Sequence, residues 1–153
     1  MIYLVRHAKA GDRSAWTGDD RVRPLTDAGR RQALALVDIL RDARFTRIAS
    51  SPYVRCIETV VPLSGHHLVA IEPHEALIEG AAVADALKLV AECAPTGAVL
   101  CSHGDVIPNL LGHLAATTAL ELGVDPRCAK GSIWTLTTEP DGSVTSARYT
   151  PAT

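Results

Sequence analysis

The sequence predicts an α/β fold, a three-layer sandwich in which a mainly parallel central sheet has helices on both faces and a C-terminal antiparallel hairpin. Two observations lead to this prediction. Short apolar runs rich in β-branched residues alternate with longer segments whose apolar residues recur at helical spacing. Near the C-terminus, the turn signal of residues 139–142 separates two further strand-like runs, which indicates a hairpin.

The predicted strands are short, and a helical pattern separates most of them. In chain order they are Ile2–Val5, Thr46–Ser50, Leu68–Ile71, Ala98–Ser102, Ser132–Thr137 and Ser143–Tyr149. The third of these has the weakest strand pattern. Their alternation with helices favours a largely parallel sheet.

Four segments have the pattern of a helix. They are Asp27–Arg41, a segment that opens at Ser51-Pro52, Val83–Ala94, and a segment from Asp105 to about Leu120. We expect Ser51 to be an N-cap followed by proline at the first helical position, where the missing N–H costs nothing. Pro108 falls in the first turn of the last helix, where proline is tolerated.

Composition predicts one globular domain over residues 1–153. Apolar residues make up 47% and charged residues 21% of the chain, and no apolar stretch approaches the length of a membrane span. The net charge is only -2, which argues against a broad nucleic-acid surface and requires any anion site to be local. Neither a membrane nor a nucleic acid is therefore an expected partner.

The four cysteines, Cys56, Cys93, Cys101 and Cys128, are widely spaced and contain no C-x-x-C pair. The first five residues have the pattern of a strand rather than a secretory leader. We therefore expect reduced thiols in a cytoplasmic protein and assign no role to cysteine. No feature of the sequence sets the oligomeric state.

Residues 8–25 interrupt the alternation of strands and helices. This segment has neither period, although it carries Lys9, Arg13 and three further large or basic side chains. Connections of this length are uncommon unless they are functional or disordered. The segment either lines a site, which is the preferred interpretation, or is a surface loop that contributes to no site.

Distinctive polar side chains follow three of the predicted strands. Arg6 and His7 follow the first, Ser51 follows the second with Arg55 one turn into the next helix, and His103 follows the fourth. Ligands collect beyond the carboxyl ends of parallel strands, where helix N-termini also point. Two guanidiniums and two imidazoles are therefore predicted to converge on a site for a dianionic phosphoryl group.

These side chains suit phosphoryl transfer without a metal or another cofactor. A neutral histidine is a nucleophile whose phosphoramidate is easily hydrolysed. Arginine stays charged and forks onto two phosphoryl oxygens, and a second imidazole can donate a hydrogen bond to them. The pair His103 and Asp105 could instead indicate a metal site, but no zinc-type spacing supports it.

Four motifs resemble, in order and spacing, the histidine phosphatase superfamily of phosphoglycerate mutase-like proteins. They are Leu4–Ala8, Pro24–Arg30, Ser50–Thr59 and Ser102–Gly104. The resemblance covers nearly the whole chain and implies a hydrolase with His7 as nucleophile and Arg6, Arg55 and His103 as the phosphate pocket. Ala8 stands where the family often has glycine, which is tolerable if the backbone needs no positive φ. No large cap separates Arg55 from His103, which implies an open site.

The resemblance also implies a general acid for poor leaving groups. Glu79 occupies about the region where the family often places that carboxylate, and Glu75 is the alternative. Lys9, Arg13 and Gly104 are the candidate substrate-binding residues, although exposed charges at the first two are as compatible with plain solvation.

Two branches of the family fit the chain. Its compact size and open site resemble the short, SixA-like phosphohistidine phosphatases, which act on phosphohistidine-bearing proteins. The motifs Ser51–Cys56, Cys101–Pro108 and Ala129–Ser132 resemble the histidine phosphatase domain of MutT-like Nudix hydrolases, which points to nucleotides or other small phosphorylated molecules.

The predicted function is a metal-independent phosphatase that forms a covalent phosphohistidine on His7. Two alternatives remain from the sequence. A phosphoglycerate mutase fits less well, because returning a phosphoryl group favours an enclosed pocket. A non-catalytic phosphate-binding or interaction module is disfavoured by the presence of all four pocket residues.

Overall fold

The computed structural model describes residues 1–122 and 127–153. In these ranges the strands are β1 (Ile2–Arg6), β2 (Arg47–Ser50), β3 (Ile71–Pro73), β4 (Ala98–Ser102), β5 (Ile133–Thr138) and β6 (Val144–Thr150). The α-helices are α1 (Asp27–Ile39), α2 (Val54–His67), α3 (Val83–Cys93) and α4 (Val106–Thr117). Two short 3-10 helices cover Asp20–Val22 and Glu75–Leu77.

The strands form a single mixed sheet in the order β3-β2-β4-β1-β5-β6. The first four strands in chain order pair in parallel, whereas β5 pairs antiparallel with both β1 and β6. The predicted mainly parallel sheet with a C-terminal antiparallel hairpin is therefore confirmed.

Helices cover both faces of this sheet. On β1, Leu4 packs in the cluster that contains Leu89 of α3 and Leu110 of α4. Its neighbour Val5 points to the opposite face and packs in the cluster that contains Leu36 of α1, together with residues of α2. Burial on both faces explains why β1 and β4 are nearly continuous apolar runs, and it confirms the three-layer arrangement.

The register of the central strands places the site. β1 and β4 are parallel neighbours, and Arg6 pairs with Ser102 at their carboxyl ends. The backbone N–H of His7 donates to the Ser102 carbonyl over 3.0 Å. His7 and His103 consequently leave the same edge of the sheet side by side.

Two boundaries predicted from the sequence are wrong. Ser51 is not an N-cap, because α2 begins only at Val54 after Tyr53, which makes no side-chain capping bond. Pro52 accordingly lies outside the helix. The predicted strand at 68–71 is displaced: Leu68 ends α2 in a left-handed conformation, and β3 runs over Ile71–Pro73. Pairing with β2, rather than apolarity, defines this short strand.

None of the helices in the described ranges combines the length and apolarity needed to cross a membrane.

All four cysteines are free thiols, and three of them are buried.

Candidate active site

His7 is a buried imidazole at the end of β1, with a side chain held in one tautomer. Its Nδ1 lies 2.8 Å from the carbonyl oxygen of Ala8. A carbonyl only accepts hydrogen bonds, so Nδ1 carries the ring proton and Nε2 keeps a lone pair. The pKa of His7 is lowered to about 3, mainly by burial of the ring and also by the nearby charges of His103, Arg55 and Arg6. The hydrogen bond to the Ala8 carbonyl acts in the opposite direction and raises the pKa. The ring is therefore neutral near pH 7, as a nucleophile requires.

Ala8 itself fits the position after the nucleophile. Among the described non-glycine residues only Leu68 has a positive φ, so the backbone at Ala8 does not require glycine. Its N–H donates to Thr59 Oγ1 over 2.9 Å, which ties the end of β1 to α2.

His103 stands opposite His7, with 5.4 Å between the ring centroids. Its Nε2 lies 2.8 Å from Ser51 Oγ and 3.5 Å from Cys56 Sγ. Its Nδ1 is buried and has no hydrogen-bond partner among the described residues. A proton donated by the Ser51 hydroxyl to Nε2 places the ring proton on Nδ1, where it can be donated to an anion.

Arg6 reaches the site across Gly104. A Cβ at Gly104 would lie 2.6 Å from the guanidinium carbon of Arg6, so a larger residue would displace this cation from its present position. The guanidinium also donates to the Cys128 carbonyl, while its buried Nε has no partner in the described residues. Gly104 lines the cavity and packs against Arg6, and its predicted binding of substrate stays a prediction.

Arg55 is fully buried in the first turn of α2. One nitrogen donates to the Asp20 carbonyl over 2.9 Å. The other lies 3.1 Å from the Asp20 carboxylate and 3.5 Å from that of Glu79, at ion-pair distance but without a directed hydrogen bond. The guanidinium also lies over the ring of Tyr53. These partners offset the cost of burying the charge.

Asp20 is a site residue that was not predicted from the sequence. Its carboxylate lies 2.8 Å from Arg23, 3.1 Å from Arg55 and 3.7 Å from Arg13. Burial raises the pKa of this carboxyl, but the hydrogen bond from Arg23 and the nearby guanidiniums hold it below its usual value. Asp20 lies in the irregular loop, where no local pattern separates it from the neighbouring Asp19.

These groups surround a cavity of about 620 Å³. The predicted site residues that line it are Arg6, His7, Lys9, Arg13, Glu79, His103 and Gly104. Arg55 is not among the lining residues; it is fully buried, and its guanidinium lies at ion-pair distance from the carboxylates of Asp20 and Glu79. The loop of residues 8–25 lines the cavity, in agreement with the preferred interpretation of this segment.

The two candidate acids are in different places. Glu79 lines the cavity, and its Oε1 accepts a hydrogen bond from Arg13 over 2.7 Å. Glu75 opens the short 3-10 helix and lines a separate depression with Asp85 and Lys88. Of the two alternatives, only Glu79 faces the cavity of the two histidines.

Further cavity or site residues were not predicted as such, and three of them carry functional groups of interest. Ser51 contacts His103, and Lys130 and Asp105 line the cavity. Asp105 accepts a hydrogen bond from the Gly80 N–H over 2.7 Å. Within residues 1–122 and 127–153, no group of three His, Cys, Asp or Glu side chains is arranged so that it could hold a metal ion. Ser51 and Lys130 belong to motifs that carry the family resemblance, which was the available signal for them.

The fold and this constellation define an α/β protein with a cavity lined by cations and two histidines at the carboxyl edge of its sheet. The sequence profile of the histidine phosphatase superfamily (branch 1) matches residues 2–84, just over half of the chain. The chain belongs to this superfamily, which confirms the resemblance and agrees with the predicted hydrolase class.

Sequence and structure comparisons give related proteins. The chain is 37% identical over 153 residues to the 8-oxo-(d)GTP phosphatase of Mycolicibacterium smegmatis, covering 97% of this chain and 47% of the relative, about half its length. The protein histidine phosphatase SixA complexed with tungstate has a TM-score of 0.78 at 17% identity, covering 99% of this chain and 94% of that one. A mycobacterial glucosyl-3-phosphoglycerate phosphatase has a TM-score of 0.70 at 17% identity, covering 97% and 95%. The two structures support the fold.

Proposed function

We propose that residues 1–153 form one histidine phosphatase domain that hydrolyses phosphorylated substrates without a metal, through a covalent phosphohistidine on His7. The observation that carries this proposal is the hydrogen bond between His7 Nδ1 and the Ala8 carbonyl. It leaves Nε2 with its lone pair on a ring that lines a cavity shared with Arg6 and His103.

The proposed reaction has two displacements. In the first, the lone pair of His7 Nε2 attacks phosphorus, the bond to the leaving oxygen breaks, and the leaving group departs with that electron pair and takes up a proton. In the second, water attacks phosphorus and loses a proton, the P–N bond breaks, and its electron pair returns to Nε2 as phosphate is released. Arg6, Arg55 and His103 donate to the phosphoryl oxygens throughout.

Arg55 reaches the phosphoryl group in this proposal by exchanging partners. Its guanidinium faces the carboxylates of Asp20 and Glu79 in the structure. Because arginine has five N–H donors, it can keep the backbone bond to Asp20 and turn the remaining donors to the anion. We assign the proton donated to the leaving group to Glu79, which lines the same cavity.

We propose small phosphorylated molecules, nucleotides among them, as the substrates. The cavity of about 620 Å³ is in the usual range for small-molecule sites, and the relative from M. smegmatis is named for a nucleotide substrate. A phosphohistidine on a partner protein is the alternative, supported by the name of the SixA neighbour. A turnover comparison across nucleotides, sugar phosphates and a phosphohistidine protein distinguishes the two.

The mechanism is tested by the substitution His7→Ala. We expect hydrolysis of p-nitrophenyl phosphate to fall by about 10³-fold or more, because the substitution removes the proposed nucleophile. Enzyme denatured in alkaline detergent, where the P–N bond of phosphohistidine survives, should retain ³²P from labelled substrate in the wild type but not in this variant. The variant should have an unchanged circular dichroism spectrum. The exposed His113 on α4 provides the control, since His113→Ala should leave turnover intact. Undiminished turnover of His7→Ala would contradict the mechanism.

A further inference from the structure

Two of the three lysines in the chain line the cavity of the two histidines. Lys9 lies two residues after His7, and Lys130 lies shortly before β5. Within the described residues neither ammonium group forms an ion pair, whereas Arg13 and Arg23 in the same cavity are paired with carboxylates. The side chains of Lys9 and Lys130, here called the lysine pair, are therefore cations without a described protein partner.

The backbone of the lysine pair is held in place by Gln32 of α1. Lys9 N–H donates to Gln32 Oε1 over 2.9 Å, and Gln32 Nε2 donates to the Lys130 carbonyl over 3.3 Å. On its other side the Lys9 carbonyl accepts from the N–H of Thr26 over 2.9 Å. Gly29 fits tightly there, since a Cβ at this position would lie 2.0 Å from the Lys9 oxygen. One amide thus joins two distant segments and brings both lysines to the same cavity.

The positive charges of this cavity act on one another. Burial lowers the pKa of Lys130, and repulsion from the cations of Arg6, Arg23, Lys9 and Arg55 lowers it further. An anion bound among these groups would relieve that repulsion.

A described carboxylate of the same cavity, that of Asp12, forms no ion pair with the lysine pair. Asp12 lines the cavity, but its carboxylate accepts hydrogen bonds from the N–H and the hydroxyl of Ser14, over 2.9 and 2.8 Å. These bonds satisfy Asp12 locally, and it forms no ion pair with either lysine.

We propose that Lys9 and Lys130 form a second anion subsite, which binds a second negatively charged group of the substrate while the phosphoryl group occupies the pocket of His7. This inference rests on the proposed phosphatase function and specifies its substrate class, a small molecule with two anionic groups. A nucleoside diphosphate and a phosphorylated carboxylic acid both meet that description. With a diphosphate, the bridging P–O bond breaks and the inner phosphate departs with the electron pair, so the lysine pair also stabilises the leaving group.

Two matched substrate pairs test the subsite. GDP and GMP differ by one phosphate, and 3-phosphoglycerate and glycerol 3-phosphate differ by a carboxylate. We expect the wild type to prefer the doubly anionic member of at least one pair, and the pair that responds identifies the second group. In the double variant Lys9→Gln, Lys130→Gln the ratio of kcat/KM between the two members should fall about tenfold, as expected for lost charge-assisted contacts.

Lys88 supplies the matched control, because it lies on α3 in a different depression. The substitution Lys88→Gln should leave every ratio unchanged. A wild type without preference in either pair, or a double variant with an unchanged ratio, would overturn the subsite.

A binding measurement separates the subsite from the phosphatase reaction. Calorimetry should show that the wild type binds pyrophosphate more tightly than phosphate. In the double variant, the ratio of the two dissociation constants should be about tenfold smaller. An equal loss for both ligands would overturn the subsite. Failure of the wild type to hydrolyse p-nitrophenyl phosphate would contradict the proposed function, while the pyrophosphate preference would still decide the subsite.

Discussion

At the level of single residues, His7 shows how surroundings set chemistry. Its side chain is 6% exposed, and burial together with the cations nearby lowers its pKa to about 3. An unfolded chain takes up this proton near the ordinary histidine pKa of 6.5. Below that pH the unfolded state binds more protons than the native state, so the free energy of unfolding falls as the pH falls from 6.5 towards about 3.

We predict that this linkage is measurable between pH 7 and pH 5. Over that interval the wild type should lose ~2 kcal/mol of unfolding free energy that the variant His7→Asn does not lose, because asparagine does not titrate. Urea denaturation followed by circular dichroism at both pH values measures the difference. Equal losses in the two proteins would show that His7 does not resist protonation in the native state.

Glu79 is the second residue whose role can be tested alone. Its carboxylate lies in the cavity beside Arg13, where we assign it the proton for the leaving group. We predict that Glu79→Gln slows phenyl phosphate about tenfold more than p-nitrophenyl phosphate, because the better leaving group needs less protonation. Steady-state kinetics with both esters gives the ratio, and equal slowing would count against an acid role.

Among the secondary-structure elements, the connection between β4 and α4 contains Gly104, whose lack of a side chain leaves space for the Arg6 guanidinium. Gly104 lies against the guanidinium of Arg6, with a hypothetical Cβ 2.6 Å from its carbon. The connection does not require a positive φ at this residue. Glycine is therefore needed there for space and not for backbone conformation.

This steric role predicts different effects for two glycines near the same helix. Gly104→Ala should lower kcat/KM for p-nitrophenyl phosphate about tenfold or more, because it displaces the Arg6 guanidinium. Gly112 lies inside α4, where a Cβ would meet no other atom within 4 Å, so Gly112→Ala should keep activity and stabilise the fold by ~0.5–1 kcal/mol. Kinetics and urea denaturation check both, and full activity of Gly104→Ala would refute the steric role.

Across the whole molecule, ion pairs attach the loop of residues 8–25 to the rest of the site. Arg13 reaches Glu79 over 2.7 Å, and Asp20 reaches Arg55 on α2 over 3.1 Å. The loop thereby closes one side of the cavity and adds cations to it. The positive charge of the cavity thus comes from side chains of several distant segments.

We predict that hydrolysis needs no divalent metal, since arginine and histidine donors can stabilise the transition state. Treatment with EDTA followed by gel filtration should leave kcat/KM for p-nitrophenyl phosphate within about twofold of the untreated protein, a change of less than ~0.5 kcal/mol. Loss of activity that an added divalent ion restores would favour the metal alternative at His103 and Asp105.

Local patterns were sufficient for most of the sheet and for the positions of Arg6, His7 and His103, which line the cavity. The prediction for β4 matches its observed bounds, because a strand buried on both faces must be apolar throughout. Arg6, His7 and His103 were placed correctly at one sheet edge, because parallel strands end together and their last residues can be read from the sequence. Arg55 was predicted to lie one turn into the next helix, whereas it is the second residue of α2, because that helix begins only at Val54.

Features that depend on partners distant in the chain required the folded structure. The hydroxyl of Ser51 contacts His103 rather than capping α2, and β3 is defined by its pairing with β2. Asp20 and Lys130 enter the site only because an irregular loop and the segment before β5 fold onto the same cavity. The order of residues was therefore enough to specify the fold class and to place Arg6, His7 and His103, which follow regular strands, at one edge of the sheet. The surrounding charges were set by loop packing, because such contacts leave no periodic pattern in the sequence.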